Sequence, residues 1–219
     1  MSNNEIIDLK EKLNILRSSE NTREVAKNIV DTLNNISSAY RNTDPDKTEQ
    51  FAKEALEIAL KSEYFRGMGD SYNNLGVSFW ARGDFYKALE QFDSCLKINK
   101  KIDNKMRLAS TSLNIGLMHT ELGDYTKAFE YYFKCVDLSE DNTEYERILA
   151  ITYLNIGVAY ERMDDTNRAM EFYFKALKLH KKLDNMSSVG RIHANIANIY
   201  LDQGDLSKSL EYVNTSLNI

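Results

Sequence analysis

The sequence predicts an all-α solenoid, a stack of similar helix hairpins. Three observations carry that reading. One pattern recurs five times in 219 residues, starting at Asn35, Asn74, Asn114, Asn155 and Asn195, at spacings of 39, 40, 41 and 40. Self-similarity at a fixed period of this size marks a stack of supersecondary units. Within each copy the apolar residues keep helical spacing on both sides of a short turn. One proline and nine glycines, most of them at repeat turns and helix contacts, leave little room for linkers.

The elements follow in order. Residues 5–17 predict an N-terminal helix that lacks the repeat pattern and is placed to cover the open N-terminal face. Helix pairs are expected at 22–42 and 46–62, 67–82 and 85–101, 105–122 and 125–139, 143–163 and 166–183, and 187–203 and 206–218. The second copy shows the unit best. Leu75 and Phe79 lie four apart and share one helix face. Gly83 accepts the left-handed turn that ends the helix, and Asp84 caps the next one. Ala88, Phe92 and Cys95 line that second helix, and the small Gly76 and Ala88 let the two helices approach closely. A single solenoid domain is expected over 1–219: an N-terminal helix (1–20), a degenerate repeat (21–65), then repeats at 66–103, 104–142, 143–185 and 186–219. Leu210, Val213 and Leu217 have core spacing on the last helix, with no repeat following. Since solenoids need polar end caps, this predicts a truncated region, or an association surface covered by another chain, including a second copy of this one.

Composition narrows the function. An apolar content of 42% supports a sizeable core. A net charge of -5, with both signs mixed along every helix, argues against nucleic acid, which needs a basic stripe. No 18-residue apolar run predicts a membrane span, and residues 1–20 carry no secretory signal, so a cytoplasmic protein is expected. Cys95 and Cys135 occupy the same position in adjacent repeats. Helices stacked about 8–10 Å apart hold such residues too far apart for a disulfide, so buried reduced thiols are expected. No catalytic, metal-binding or cofactor-binding motif is present, and no enzyme is predicted. His119 stands where other copies carry Tyr or Phe and reads as a core residue. His180, beside Lys181 and Lys182, reads as a solvated helix end, and His193 as a groove-facing residue. Phe133 and Phe174, next to core Tyr132 and Tyr173, read either as packed on the neighbouring repeat or as an exposed patch.

The string Asn-Leu-Gly, an aromatic three residues on, Gly-Asp-Tyr/Phe, Ala, aromatic, Ala/Cys resembles the tetratricopeptide repeat family over nearly the whole chain. The 40-residue period resembles the longer repeats of kinesin light chains, Pins-type adaptors and Rap-type peptide sensors. The resemblance implies an all-α right-handed superhelix of five helix pairs plus one N-terminal helix. It also implies a non-enzymatic module that holds an extended peptide or partner segment in a concave groove. Two alternatives stand beside this: a sensor segment of a larger bacterial signalling protein bearing a histidine kinase or cyclase, and a homo-oligomeric scaffold. The recurrent amide has two readings. It either bonds neighbouring helices into a ladder, or lines the groove and pairs with a peptide main chain, as the matching Asn does in the resembling families. On the second reading the peptide-binding residues are Asn35, Asn74, Asn114, Asn155 and Asn195. Around them stand Asn34, Asn73, Asn198, Arg162 and Arg191, the arginines suited to a carboxylate.

Overall fold

The computed structural model describes residues 3–20, 22–140 and 142–218. It contains α1 (Asn3–Ser18), α2 (Arg23–Tyr40), α3 (Pro45–Lys61), α4 (Phe65–Ala81), α5 (Phe85–Lys101) and α6 (Lys105–Glu121). These are followed by α7 (Tyr125–Ser139), a 3-10 turn (Thr143–Tyr145), α8 (Glu146–Glu161), α9 (Thr166–Lys182), α10 (Met186–Asp202) and α11 (Leu206–Leu217). No strand is present among the described residues. The chain forms two compact units, 1–122 and 123–219, with the boundary in the turn after α6.

The repeat turns explain the spacing. Asp44, Asp84, Asp124, Asp165 and Asp205 each accept the backbone N–H three residues on, at 3.0–3.3 Å. The residue that donates, Lys47, Lys87, Lys127, Arg168 or Lys208, also pairs with the same carboxylate. Just before three of these caps sits a glycine with positive φ: Gly83 at 76°, Gly123 at 75° and Gly204 at 78°. In the first hairpin the Asp44 N–H reaches Tyr40, four residues back; Asp84, Asp165 and Asp205 reach back five. That turn is one residue shorter, which accounts for the spacing of 39. The 41-residue spacing falls where the 3-10 turn precedes α8.

In the first unit α2–α3 and α4–α5 are antiparallel hairpins, α6 packs on α5, and α1 packs on α2. Leu13 of α1 is 3% exposed, in a cluster with Val30, Leu33 and Ile36 of α2 and Ala55 and Ala59 of α3. The N-terminal helix therefore covers the apolar face of the first hairpin. In the second unit α7 packs on α8, α8 pairs with α9, and α10 packs on α9 and pairs with α11. The hairpins close through glycine against an aromatic ring. A Cβ on Gly76 would lie 2.5 Å from the Phe92 ring, and one on Gly157 the same distance from Tyr173. Ala88 and Ala169 are fully buried, as the close approach requires. Leu206, Leu210, Val213 and Leu217 leave an exposed apolar stripe on α11.

Both cysteines are free and buried. The Cys95 thiol donates to the Gly69 carbonyl at 3.2 Å, and burial pushes its pKa up to about 11. Phe133 and Phe174 are exposed at their outer edges. Phe133 nonetheless packs within 6.1 Å of Phe172, ring to ring, so it is both packed and partly open. His119 is half-buried on α6.

Two histidine expectations need correction. His180 is not solvated: it is 0% exposed, in the last turn of α9, beside the Ala150 backbone of α8. Ala59, Asn99 and Ser139 are its counterparts near the ends of α3, α5 and α7, and all three are fully buried. The position belongs to the core, and the neighbouring lysines alone point to solvent. His193 is 6% exposed and lies against Tyr212, its ring centroid 5.5 Å away, so it packs inside the α10–α11 hairpin.

Two stability predictions follow from the turns and the core. Asp164 holds φ at 58° where three of the other hairpin turns use glycine. A side chain in the left-handed region costs about 1 kcal/mol. Asp164→Gly is therefore expected to stabilise the protein by about that amount in urea unfolding, and unchanged or reduced stability would refute the strain. The second concerns acid. Desolvation, with Arg191 and Arg147 nearby, lowers the His180 pKa, and desolvation with Lys181 lowers that of His193. Below the ordinary imidazole value of about 6.5 the unfolded chain takes up protons that the folded chain refuses. Stability is then lost as pH falls from 7 towards the depressed native values. Unfolding midpoints measured from pH 8 to pH 5 should fall, and His180→Leu with His193→Phe should flatten the decline.

Candidate functional site

The first helix of each hairpin carries the recurrent asparagines. In the first unit they are bonded to one another. Asn74, 4% exposed on α4, donates to the Asn34 carbonyl of α2 at 3.1 Å and lies 3.4 Å from its side-chain oxygen. Asn34, 5% exposed, donates to the Gly67 carbonyl at 3.1 Å and accepts from the Ser71 hydroxyl at 3.0 Å. Gly67 permits this approach, since a Cβ there would lie 2.4 Å from Val30. Asn114 of α6 repeats the step, donating to the Asn73 side chain at 3.0 Å. The rule is consistent: the amide of one repeat bonds the residue just before the matching amide of the preceding repeat. Asn34 and Asn73 are the accepting side of the ladder, and Asn74 and Asn114 the donating side.

Asn35 differs. It is exposed on α2 and lines a cavity of about 290 Å³ in the first unit. Asn34, Asn73, Asn74, Ser38, Asp31 and Asp70 share that lining with Arg41, Arg66 and Arg107. The structure thus gathers four of the expected asparagines around one space and adds three arginines absent from the expected set. Arg107 pairs with Asp70 through both guanidinium nitrogens. Desolvation, then repulsion by Arg66, lowers the Arg107 pKa. The Tyr64 hydroxyl donates to Asp31 at 3.1 Å; burial and then the Asp31 charge raise the Tyr64 pKa. Arg41, the C-cap residue of α2, donates to the Ser38 hydroxyl at 2.8 Å. Desolvation lowers its pKa too. Arg66 is exposed at the rim. Arg66 is matched by Arg147, each eight residues before a repeat asparagine. Arg41 is matched by the C-cap residues Arg82 and Arg162, whereas Arg107 has no such counterpart. A usable signal was the single arginine directly after Tyr40, Phe65 and Met106, in or at the end of helices that carry the asparagines.

The remaining expected residues lie in the second unit. Asn155 donates to the Ile151 carbonyl of its own helix at 2.8 Å. Asn195 lies within hydrogen-bond reach of the Tyr173 hydroxyl, which also donates to Glu161. Burial and the Glu161 carboxylate raise the Tyr173 pKa. Asn198 and Arg191 are exposed on α10, and Arg162 is exposed at the end of α8.

The ladder makes a sharp contrast. Asn74→Ala is expected to destabilise the protein by about 1–3 kcal/mol, the cost of unpairing buried polar groups. Asn35→Ala should stay within about 0.5 kcal/mol, as surface changes do. Equal losses in urea unfolding would show that the ladder does not hold the stack.

Comparison with known proteins places this geometry. Tetratricopeptide repeat models match residues 67–141, 107–182 and 190–219, well over half of the chain. No curated protein sequence matches it. Among solved structures it is similar to BtubC (BKLC) from P. vanneervenii, at 20% identity and a TM-score of 0.83, over 97% of this chain and 88% of that one. It is also similar to a Rap protein complexed with competence and sporulation factor, at 20% identity and a TM-score of 0.78, over 94% of this chain and 56% of that one. A signal transduction ATPase with a tetratricopeptide repeat sensor from Pyrococcus horikoshii gives 17% identity and a TM-score of 0.75, over 93% of this chain and 32% of that one. At these identities the likeness shows the fold. The repeat models, the period and the helix hairpins agree: the chain belongs to the tetratricopeptide repeat family.

Proposed function

We propose that this protein is a non-enzymatic protein–protein interaction module and that its first unit holds an extended peptide on the first-helix face. Tetratricopeptide repeats generally serve as interaction modules. The observation that carries the finer reading is the cavity between Asn35, Asn73 and the three arginines. Its lining offers amides that donate and accept together, and guanidiniums that donate in a fixed fork. That is the chemistry of recognising a polypeptide main chain and a carboxylate. The Rap structure solved with competence and sporulation factor, and the ATPase with a repeat sensor, support the same direction. Ligand contacts in this unit fall to groups outside the ladder, chiefly Asn35 and Arg66. In the second unit Asn155, Asn195, Asn198, Arg162 and Arg191 remain candidates for contacts of their own.

The test is selection of binding peptides from a random display library on the full chain, followed by affinity measurement. Hydrogen bonds to charged groups are worth about 1.5–3 kcal/mol, or about 10–100-fold in affinity. Asn35→Ala with Arg66→Gln is expected to weaken the selected peptides by about that factor without lowering Tm. Binding unchanged in the double variant would remove this cavity as the site.

A further inference from the structure

Phe133 and Phe174 occupy one repeat position, nine residues after the capping aspartate, where the other copies carry Lys53, Asp93 and Asn214. Packing of the repeat does not demand a ring there, since three copies do without one. Phe172 of α9 covers one side of Phe133, at 6.1 Å between ring centroids. Phe133 is still 39% exposed, and Phe174 is 44% exposed. Two large rings thus stand open on α7 and α9, both within the second unit.

The charges around the two rings differ in sign. On α7 the row through Phe133, at helical spacings of three and four, reads Glu130, Phe133, Asp137, Glu140. On α9 the matching row reads Glu171, Phe174, Lys178, Lys181. Every residue of both rows is exposed. Lys175 offsets Glu171 at 2.7 Å, and Glu140 accepts from the Tyr153 hydroxyl at 3.2 Å. Asp137, Lys178 and Lys181 form no ion pair among the described residues. Helix α7 therefore presents a ring with acids, and α9 a ring with bases. The match for the α9 row is an acidic surface that carries an apolar group, and α7 of another copy is such a surface.

We propose that this face of α7 and α9 is a docking surface for a second copy of the chain. A two-fold axis running along the helices lays α7 of each copy on α9 of the other. That axis keeps positions along the helices level. Phe133 then meets the second copy's Phe174, Asp137 meets its Lys178, and Glu140 meets its Lys181, and the symmetry repeats each contact. Glu130 meets Glu171, the one like-charged contact, which Lys175 already offsets. The rings exclude water at the centre, and the opposite charges fix the register. An axis across the helices would set acid on acid and base on base, so the charges select one arrangement. Two helices about 22–25 Å long and about 10 Å apart cover roughly 500 Å² per copy. That lies at the low end of specific interfaces, so the dimer is weak and reversible. None of the residues proposed for peptide contact takes part.

The experiment is analytical ultracentrifugation of the full chain from micromolar to near-millimolar concentration, at low and at high salt. A reversible dimer is expected, and salt should weaken it. Lys178→Glu with Lys181→Glu should leave a monomer, and so should Asp137→Lys with Glu140→Lys. Mixing these two variants should restore a dimer, because each row then meets its opposite charge again. Circular dichroism checks the folding of each. Asp137→Lys mixed with Lys178→Glu serves if losing the Tyr153 bond to Glu140 harms the second variant. Phe174→Asn, which copies the last repeat, should raise the dissociation constant about 10-fold. A wild type that stays monomeric throughout, or a dimer that neither charge reversal weakens, would overturn the proposal. Association kept in both charge variants and lost in Leu210→Glu would overturn it as well, by placing the contact on the α11 stripe.

Discussion

The close approach of a first-helix glycine to an aromatic ring of the second helix governs this structure. Gly76 meets Phe92 and Gly157 meets Tyr173 at a separation that no side chain could share. That contact sets how far apart the helices of a hairpin lie, and so how deep Leu75 or Ile156 is buried. It also fixes the rotation of the first helix. With the glycine turned to the ring, the adjoining positions 74 and 155 are turned to the edge of the core, where an amide reaches the next repeat or its own helix. The first hairpin solves the same problem differently. Ser37 stands at the glycine position, and its hydroxyl donates to the Thr48 carbonyl at 2.7 Å. The partner at the aromatic position is then the small Ala52.

The two units use the same amide to different ends because their rings differ. Phe92 has no polar group, and Asn114, the amide of the repeat that follows it, bonds Asn73 instead. Tyr173 brings a hydroxyl into a fully buried position, which must be satisfied. Glu161 accepts from it, and Asn195 lies within reach of the same oxygen. A single oxygen atom on the ring thus redirects the repeat's recurrent polar group.

Much of this architecture was legible because it repeats. The helix bounds expected from the pattern fall within a few residues of those observed, since Gly-Asp turns and core spacing are local signals. The buried thiols were legible for the same reason: Cys95 and Cys135 stand at a position that is alanine or serine in the other copies, Ala55, Ala176 and Ser216. His180 was misread because its neighbours in sequence are lysines. Its equivalence to Asn99 and Ser139 was the better guide, since a repeat position keeps its burial while its residue type drifts. The amide ladder was legible only as one of two readings. Its direction depends on which residue precedes each asparagine, and that matters only once the helices are stacked.

The arginine site was not legible, and the reason is physical. A repeat pattern reports what every unit needs in order to pack on the next. A ligand needs what one place has and the others lack. Arg41 is the C-cap residue of α2, the residue type that also caps α4 (Arg82) and α8 (Arg162). Arg66 and Arg107 flank the same space from α4 and α6 at positions with no common register. The useful signal for function in such a chain is therefore departure from the period. Here the shortened turn and the doubled asparagines both fall in the first unit, around the cavity that Arg41, Arg66 and Arg107 line.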